Sequence, residues 1–206
     1  REQASRTEAN VLVFDRVSIE VLFTGVGLTA TSFALGHRFG RGNQPQLAIQ
    51  AGVGGAIDRS VQLGEVVSIT TETFGDLGAE TAAGQPLSLT DIGLPPGAPF
   101  TEQGQLAPEV AVSLPFRACA GLTVNQVSGS AATIRKRTEQ FPYAQVESME
   151  GAAFFYACLQ AGVEPLQLRS ISNYVEPRNR EAWRMAEAIT SLNQALRQVL
   201  TPFISE

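Results

Sequence analysis

Apolar residues recur along this chain with two alternating periods, one typical of strands and one typical of helices. Runs rich in Val, Ile and Phe predict strands, and they alternate with stretches whose apolar residues recur every three or four positions, which predict helices. The predicted strands lie within 11–25, 45–55, 64–76, 120–129, 144–148 and 164–175. The predicted helices lie within 26–40, 131–140, 150–161 and from Trp183 to Val199. This alternation predicts an α/β fold around a largely parallel or mixed sheet.

Turn residues divide this pattern into smaller units. The run 11–25 contains two strands that meet at a turn around Asp15 and Arg16. Residues 84–108 hold several glycines and five prolines, which predicts a long irregular excursion rather than a domain boundary. We therefore expect one domain over residues 1–206. The apolar positions expected to give the first helix its core face are Leu28, Phe33, Leu35 and Phe39.

Three polar or glycine-rich turns are predicted where strands end. They lie at 51–55 ("AGVGG"), 147–151 ("ESMEG") and 172–180 ("SNYVEPRNR"). In open α/β sheets, ligands bind just beyond the carboxyl ends of strands. The sequence therefore predicts a ligand site where these three turns converge.

Composition excludes several classes of protein. Hydrophobic residues make up 44% of the chain and charged residues 17%, as in a folded globular protein. A net charge of −5 predicts no nucleic-acid partner, and no apolar run approaches the roughly 20 residues of a membrane helix. Because Cys119, Cys158 and His37 lack metal-ligand spacing, we expect no metal site and no disulfide framework. Without a secretory leader, we expect a cytoplasmic protein that needs no cofactor.

The segment 146–154 ("VESMEGAAF") places two carboxylates, Glu147 and Glu150, around Met149 at the start of an apolar helix. We expect Glu150 in the first helical turn, where the helix dipole stabilises an ionised carboxylate. Two interpretations stay open from these residues alone. Glu150 stabilises the helix, or it binds a sugar diol and faces positive charge that develops on a sugar, with Met149 as an apolar surface.

Several motifs carry a resemblance to a known superfamily. "VESMEGAAF" followed by "LQLRSISNYV" (166–175) resembles the nucleosidase and nucleoside phosphorylase superfamily. "FGDLGAE" (74–80) and "RSISNYVEPRNREAW" (169–183) are similar to the futalosine hydrolase family within it. The resemblance implies a three-layer α/β/α domain with a central mixed sheet. It also implies hydrolysis of the N-glycosidic bond of futalosine, a purine nucleoside, with release of hypoxanthine during menaquinone biosynthesis.

The same resemblance implies roles for particular residues. Met149 and Glu150 would contact the ribose, with Glu150 on its hydroxyls and Glu147 in a structural or indirect role. The backbone of the glycine turn would line the sugar at Gly52, Val53 and Gly54. The candidates for binding the aromatic carboxylate at the 5′ end of the substrate are Phe74, Tyr174, Arg178 and Arg180. For the two arginines, the alternative is a position on the solvated surface.

Asn173 stands where adenine-cleaving members of the superfamily carry Asp. An amide offers both an acceptor and a donor, so Asn173 can donate to O6 of a 6-oxopurine and accept from its protonated N7. Hypoxanthine is such a base. The alternative is that Asn173 only caps a turn before Tyr174.

The chain also departs from the family pattern. Family members begin with a strand and a turn whose glutamate orients the attacking water, and we expect this unit upstream of Arg1. Val53 replaces a frequent Ser, and the turn holds no arginine before Arg59, which favours water over phosphate as the nucleophile. We expect a homo-oligomer. The alternatives are a nucleosidase for 6-amino-6-deoxyfutalosine or a methylthioadenosine-type substrate, and a non-catalytic nucleoside-binding protein.

Overall fold

The computed structural model describes residues 5–8, 10–109 and 114–204, and Arg1 lies outside them. The strands are β1 Ser5–Glu8, β2 Val11–Val13, β3 Ser18–Glu20, β4 Leu47–Ala56, β5 Val66–Phe74, β6 Ala79–Glu80, β7 Pro86–Leu87, β8 Arg117–Thr123, β9 Val146–Ser148 and β10 Glu164–Tyr174. The helices are α1 Leu28–Gly40, α2 Ala131–Gln140, α3 Gly151–Ala161 and α4 Met185–Ile204. Each predicted strand and helix therefore has a counterpart in the structure.

The centre of the molecule is a mixed sheet of five strands that closes into a barrel in the order β10-β4-β9-β8-β5. Strand β10 runs parallel to β4 and antiparallel to β5, and β8 runs parallel to both β5 and β9. Helix α3 packs against β5, β8 and β10, and α4 packs against β4 and β10. The predicted α/β fold with a central mixed sheet is confirmed, and helices flank the sheet.

Strand β4 corrects the prediction of a glycine turn at residues 51–55, because the strand runs through these residues to Ala56. A Cβ at Gly52 would overlap Nη1 of Arg169, the residue paired with it on β10. A Cβ at Gly54 would lie 2.9 Å from Cγ1 of Val146 on β9. These glycines therefore let side chains of neighbouring strands approach the backbone closely, and they do not form a turn.

In helix α1, the prediction that Phe33 lies in the core is wrong. Its buried residues are Thr31, Leu35 and Phe39, spaced four apart, so they form one stripe facing α3. Phe33 falls outside this stripe, is 75% exposed, and stacks on His37 at a ring distance of 6.0 Å. The stripe packs into a core cluster that includes Phe154 and Phe155 of α3.

The remaining segments follow the predictions with small changes. Strands β2 and β3 form a hairpin around Asp15 and Arg16, within a separate antiparallel sheet of three strands. Trp183 precedes α4 and follows a short 3-10 turn, Arg180–Ala182, because the helix begins only at Met185. Both cysteines are buried free thiols, as predicted. Within the described ranges, no helix is both long enough and apolar enough to cross a membrane.

Candidate active site

The carboxylate of Glu150 is turned away from the helix that it precedes. The residue occupies the N-cap position of α3, one residue before the first turn that the sequence predicts for it, and its side chain makes no capping hydrogen bond. The first N–H groups of α3 are satisfied by Ser148 and Thr123, whose hydroxyls accept from Gly151 and Ala152. Glu150 is therefore not needed as a cap, and its carboxylate is free for other partners.

Two donors hold that carboxylate in place. Arg169 Nη1 donates to one oxygen at 3.3 Å, and the Gly27 N–H donates to the other at 3.0 Å. Gly27 itself has φ +92° at the start of α1, a backbone conformation that a side chain would strain. The carboxylate of Glu150 thus bridges strand β10 and helix α1.

Arg169 is the centre of this polar group, and sequence reasoning missed it. Its side chain is 3% exposed. Besides Glu150, it donates to Gln50 Oε1 at 2.7 Å, to Gln167 Oε1 at 3.0 Å and to the Val53 carbonyl at 3.4 Å. Burial lowers the pKa of Arg169, whereas the nearby carboxyl groups raise it. The signal in the sequence is an arginine inside the predicted strand "LQLRSIS". A charge buried in a strand needs hydrogen-bonding or oppositely charged partners, which marks this position as a candidate.

A second acid, Glu72, lies buried beneath the start of α3. It sits on β5, is 1% exposed, and accepts from the Thr123 hydroxyl at 2.8 Å. Burial raises the pKa of Glu72 from 4.5 to about 7, although the Thr123 hydrogen bond and the Arg169 charge oppose the rise. Sequence reasoning missed this residue too. The signal was a glutamate inside a predicted strand of β-branched residues, where burial would raise its pKa.

Asn173 lies where β10 ends, beside a small cavity of about 60 Å³. Its Oδ1 accepts from the Ser172 hydroxyl at 2.9 Å, and its Nδ2 donates to the Tyr174 carbonyl at 2.9 Å. One N–H and one lone pair of the amide stay available, because each end can make two hydrogen bonds. Gly55 of β4 and Arg178 line the same cavity.

Comparisons with known proteins show the family to which this chain belongs. The profile of the phosphorylase superfamily matches residues 10–205. The chain is 32% identical over 182 residues to the futalosine hydrolase of Thermus thermophilus, covering 87% of this chain and 80% of that protein. The chain belongs to the phosphorylase superfamily, within its futalosine hydrolase family.

Two further proteins are similar to this chain. It is 38% identical over 161 residues to the futalosine hydrolase of Streptomyces coelicolor, which covers 75% of this chain, and it spans 65% of that relative's length. The solved structure of futalosine hydrolase from Helicobacter pylori matches with a TM-score of 0.73 at 16% identity, covering 97% of this chain and 88% of that one. The structural match shows the shared fold.

The structure brings the predicted site residues of this family member together in two groups. In the first group, Arg169 donates both to the Val53 carbonyl and to Glu150. Met149 is half-buried and directly precedes Glu150. Tyr174 and Arg178 line the cavity beside Asn173. Strand β4 connects the groups, because Gly52 pairs with Arg169 and Gly55 pairs with Asn173. Gly54 lies between these two pairs.

Three of the candidates for the 5′ carboxylate of the substrate lie against aromatic rings. Phe74 does not line the Asn173 cavity, and its ring packs 6.0 Å from that of Phe100. The guanidinium groups of Arg178 and Arg180 lie 6.0 Å and 5.8 Å from the ring centre of Trp183. Contact with an aromatic face leaves both guanidinium groups able to bind an anion.

Glu147 has the structural surroundings that the sequence predicts for it. Its carboxylate is 4% exposed, pairs with Arg137 at 3.1 Å and accepts from the Ser128 N–H at 2.8 Å and from the Ser128 hydroxyl. These bonds tie β9 to α2 and to the loop before it. The three polar contacts of Glu147 described here are thus all with neighbouring protein groups, unlike those of a carboxylate aimed at a ligand.

Proposed function

We propose that this protein hydrolyses the N-glycosidic bond of futalosine, giving hypoxanthine and dehypoxanthine futalosine in menaquinone biosynthesis. The observation that carries the proposal is the carboxylate of Glu150, which Arg169 and Gly27 hold away from its own helix. Membership of the futalosine hydrolase family supports futalosine as the substrate. We also propose that residues 1–206 belong to a single nucleosidase domain.

In this reaction the bond between the purine N9 and the sugar C1′ breaks, and its electron pair leaves with the base. The sugar becomes oxocarbenium-like, as in other glycosidic cleavages. Glu150 binds the ribose hydroxyls and stabilises this positive charge, while Met149 contacts the ribose face. Water then adds its oxygen to C1′, and one proton from the water balances the proton that the base takes up.

Asn173 activates the leaving base. Its free N–H donates to O6 of hypoxanthine, and its free lone pair accepts from N7–H as that nitrogen becomes protonated. The local bonds to Ser172 and Tyr174 support this role, because they hold the amide in one orientation. The small cavity beside Asn173 supplies an opening toward the base.

The rest of the substrate meets residues around these two groups. The backbone of β4 at Gly52, Val53 and Gly54 lines the sugar. We assign the 5′ aromatic carboxylate to Phe74, Tyr174 and Arg178, through apolar contact and a cation. A row of aromatic rings supports the apolar part, since Phe100 lies 6.0 Å from Phe74 and 5.8 Å from Tyr156.

We also propose that the enzyme works in the cytoplasm as a homo-oligomer, without a metal or an organic cofactor. Its partner is a small purine nucleoside, and neither nucleic acid nor membrane takes part. The acidic balance of the chain supports the absence of a nucleic-acid partner. The chemistry of Glu150 and Asn173 supports hydrolysis without a cofactor, since it needs only charge stabilisation and proton transfer.

Incubation of the purified protein with futalosine tests this proposal, with hypoxanthine release followed by chromatography. Replacing Glu150 by Gln keeps its shape and removes its charge, so we expect turnover to fall by roughly 10² or more. The control is Glu139→Gln on the exposed face of α2, which should keep wild-type turnover. The proposal fails if futalosine stays intact, and faster cleavage of the 6-amino analogue or of methylthioadenosine would move the assignment to that nucleoside.

A further inference from the structure

The buried acid Glu72 has no part in the reaction as described above, yet it shares a polar network with the sugar-binding carboxylate. Gln167 and Arg169 are two residues apart on β10, so their side chains lie on one face of the strand. Gln167 Oε1 accepts from Arg169 Nε at 3.0 Å, and Arg169 donates to Glu150. Glu72 and Gln167 meet behind Gly151, since a Cβ there would overlap Oε1 of both. A continuous path of polar groups therefore runs from Glu72 to Glu150.

The donors and acceptors along this path determine whether Glu72 must carry a proton. Arginine Nε–H is always a donor, so it holds the amide oxygen of Gln167 toward itself. Glu72 Oε1 lies in the same space behind Gly151 as this oxygen, and both Glu72 Oε1 and Gln167 Nε2 have no hydrogen-bond partner in the described part of the chain. Two oxygens that face each other in a buried space attract only when one carries a proton.

We propose that Glu72, in its protonated form, is a positioning residue that donates to Gln167 and so holds Arg169 on Glu150. The proposal rests on the proposed function for its catalytic consequence. Loss of the proton would place two carboxylates, Glu72 and Glu150, around one guanidinium. Arg169 would then be shared between them, and the carboxylate that faces the sugar would lose its fixed position.

The surroundings of Glu72 support a proton held near neutral pH. Burial raises the pKa of Glu72 to about 7. Among the described residues that face it, β10 contributes Arg169 and the start of α3 contributes Glu150, whereas β8 contributes the neutral Thr123. The segment paired with Glu72 on its other side contributes Leu106, which carries no charge. Glu72 therefore releases its proton in the range where an enzyme is normally assayed.

The pH profile of futalosine cleavage is the first test. Between about pH 6 and about pH 8.5 we expect wild-type turnover to fall about tenfold or more as Glu72 ionises. Glu72→Gln cannot ionise, so its turnover should change less than about threefold over the same range. Glu139→Gln on the surface serves as the control and should keep the wild-type profile. A Glu72→Gln profile with the wild-type alkaline fall would overturn the proposal.

A second measurement needs no activity and separates this proposal from the proposed function. The ¹⁵N NMR signal of Arg169 Nε should titrate with a midpoint near 7 in the wild type and stay fixed in Glu72→Gln. If futalosine is not cleaved but this titration occurs, the network stands and the assigned reaction fails. If Arg169 Nε does not titrate in the wild type, the positioning role of Glu72 is wrong, whatever the activity.

Thr123→Val keeps the test decisive if Glu72→Gln does not fold. The Thr123 hydroxyl donates to Glu72 at 2.8 Å and favours the ionised carboxylate. Valine has nearly the same shape but cannot donate to Glu72, and it also removes the acceptor of the Ala152 N–H, so the folded state of this variant is checked by circular dichroism. Both the Arg169 Nε midpoint and the alkaline fall in turnover should move upward by roughly one pH unit. An unchanged midpoint for both would contradict the assignment of this titration to Glu72.

Discussion

The Asn173 amide decides, in the proposed mechanism, which purine the enzyme releases. With O6 of hypoxanthine its N–H finds an acceptor, whereas the 6-amino group of adenine presents a second donor and leaves a hydrogen bond unmade. That mismatch costs ~1–3 kcal/mol, or about one to two powers of ten in selectivity. We therefore expect Asn173→Asp to shift preference toward the 6-amino analogue of futalosine, even if overall turnover falls. The measurement is the ratio of kcat/KM for the two nucleosides in both proteins, and an equal ratio in both would show that Asn173 does not read the base.

Protonation of Glu72 also makes a prediction for stability. The pKa of Glu72 in the folded protein, about 7, lies above its ordinary value of 4.5. The folded state therefore binds this proton more tightly than the unfolded state, so stability is greatest below the ordinary value and is lost as pH rises through about 7. In urea, the unfolding free energy should drop between about pH 5 and about pH 8 by at most about 3 kcal/mol more in the wild type than in Glu72→Gln.

Asp58 does not interfere with that comparison. Hydrogen bonds from Ser60 and Gln145 lower its pKa from 3.8 to about 2, so its contribution to stability is present above 3.8 and is lost only as pH falls further. If the unfolding free energy drops equally in wild type and Glu72→Gln between about pH 5 and about pH 8, Glu72 is ionised across that whole range.

The site residues that the sequence identified differ in their surroundings from those that only the structure revealed. Glu150 and Asn173 lie where strands end, so a motif and the chemistry of each side chain were enough to select them. Arg169, Glu72 and Gln167 lie inside strands, where a polar residue in an apolar run has no visible partner. Their function depends on which strands are neighbours in the barrel, and that pairing joins residues about 100 positions apart.

At the scale of elements, the start of α3 is built so that Glu72 can reach it. Gly151 leaves the space that Glu72 Oε1 and Gln167 Oε1 occupy. In Gly151→Ala the new Cβ would displace two fully buried polar side chains that cannot retreat into water. We expect a loss of roughly 1–3 kcal/mol in unfolding free energy, although alanine favours helix. Urea denaturation measures it.

Gly36→Ala on α1 is the matched control for that variant. It is also a glycine-to-alanine change in a helix, and a Cβ at Gly36 meets nothing within 4 Å. We expect it to gain about 0.5–1 kcal/mol of stability. Equal effects of the two changes would mean that helix propensity, and not the space behind Gly151, governs the start of α3.

Strand β4 shows why element boundaries were harder to predict than elements. Three glycines in "AGVGG" predict a turn from sequence, because glycine lacks the side chain that stabilises a strand. In the barrel, side chains of neighbouring strands occupy the space that a side chain at each glycine would fill. Arg169 approaches Gly52, Val146 approaches Gly54, and Asn173 approaches Gly55. A contact between strands distant in sequence therefore reverses the local preference.

At the scale of the whole molecule, the proposed chemistry predicts an enzyme that resists chelators. Charge stabilisation by Glu150 and hydrogen bonds between Asn173 and the departing base need no Lewis acid. In the described ranges, no three His, Cys, Asp or Glu side chains are grouped so that they could hold a metal ion. Dialysis against EDTA should leave futalosine turnover unchanged. Loss of turnover that returns on adding one divalent metal would require a metal-dependent mechanism.

Assembly is the last property that we expect of the whole molecule. We expect a homo-oligomer in which the long excursion at residues 84–108 of one subunit takes part in the pocket of its neighbour. Sedimentation should therefore give a mass that is a whole multiple, two or greater, of the mass of one purified chain. On dilution, turnover per subunit should fall over the same concentrations at which the oligomer dissociates, because a shared pocket opens when its partner leaves. The surface variant Glu139→Gln should follow the same curve. A monomer with full turnover at assay concentration would show that each chain completes its own pocket.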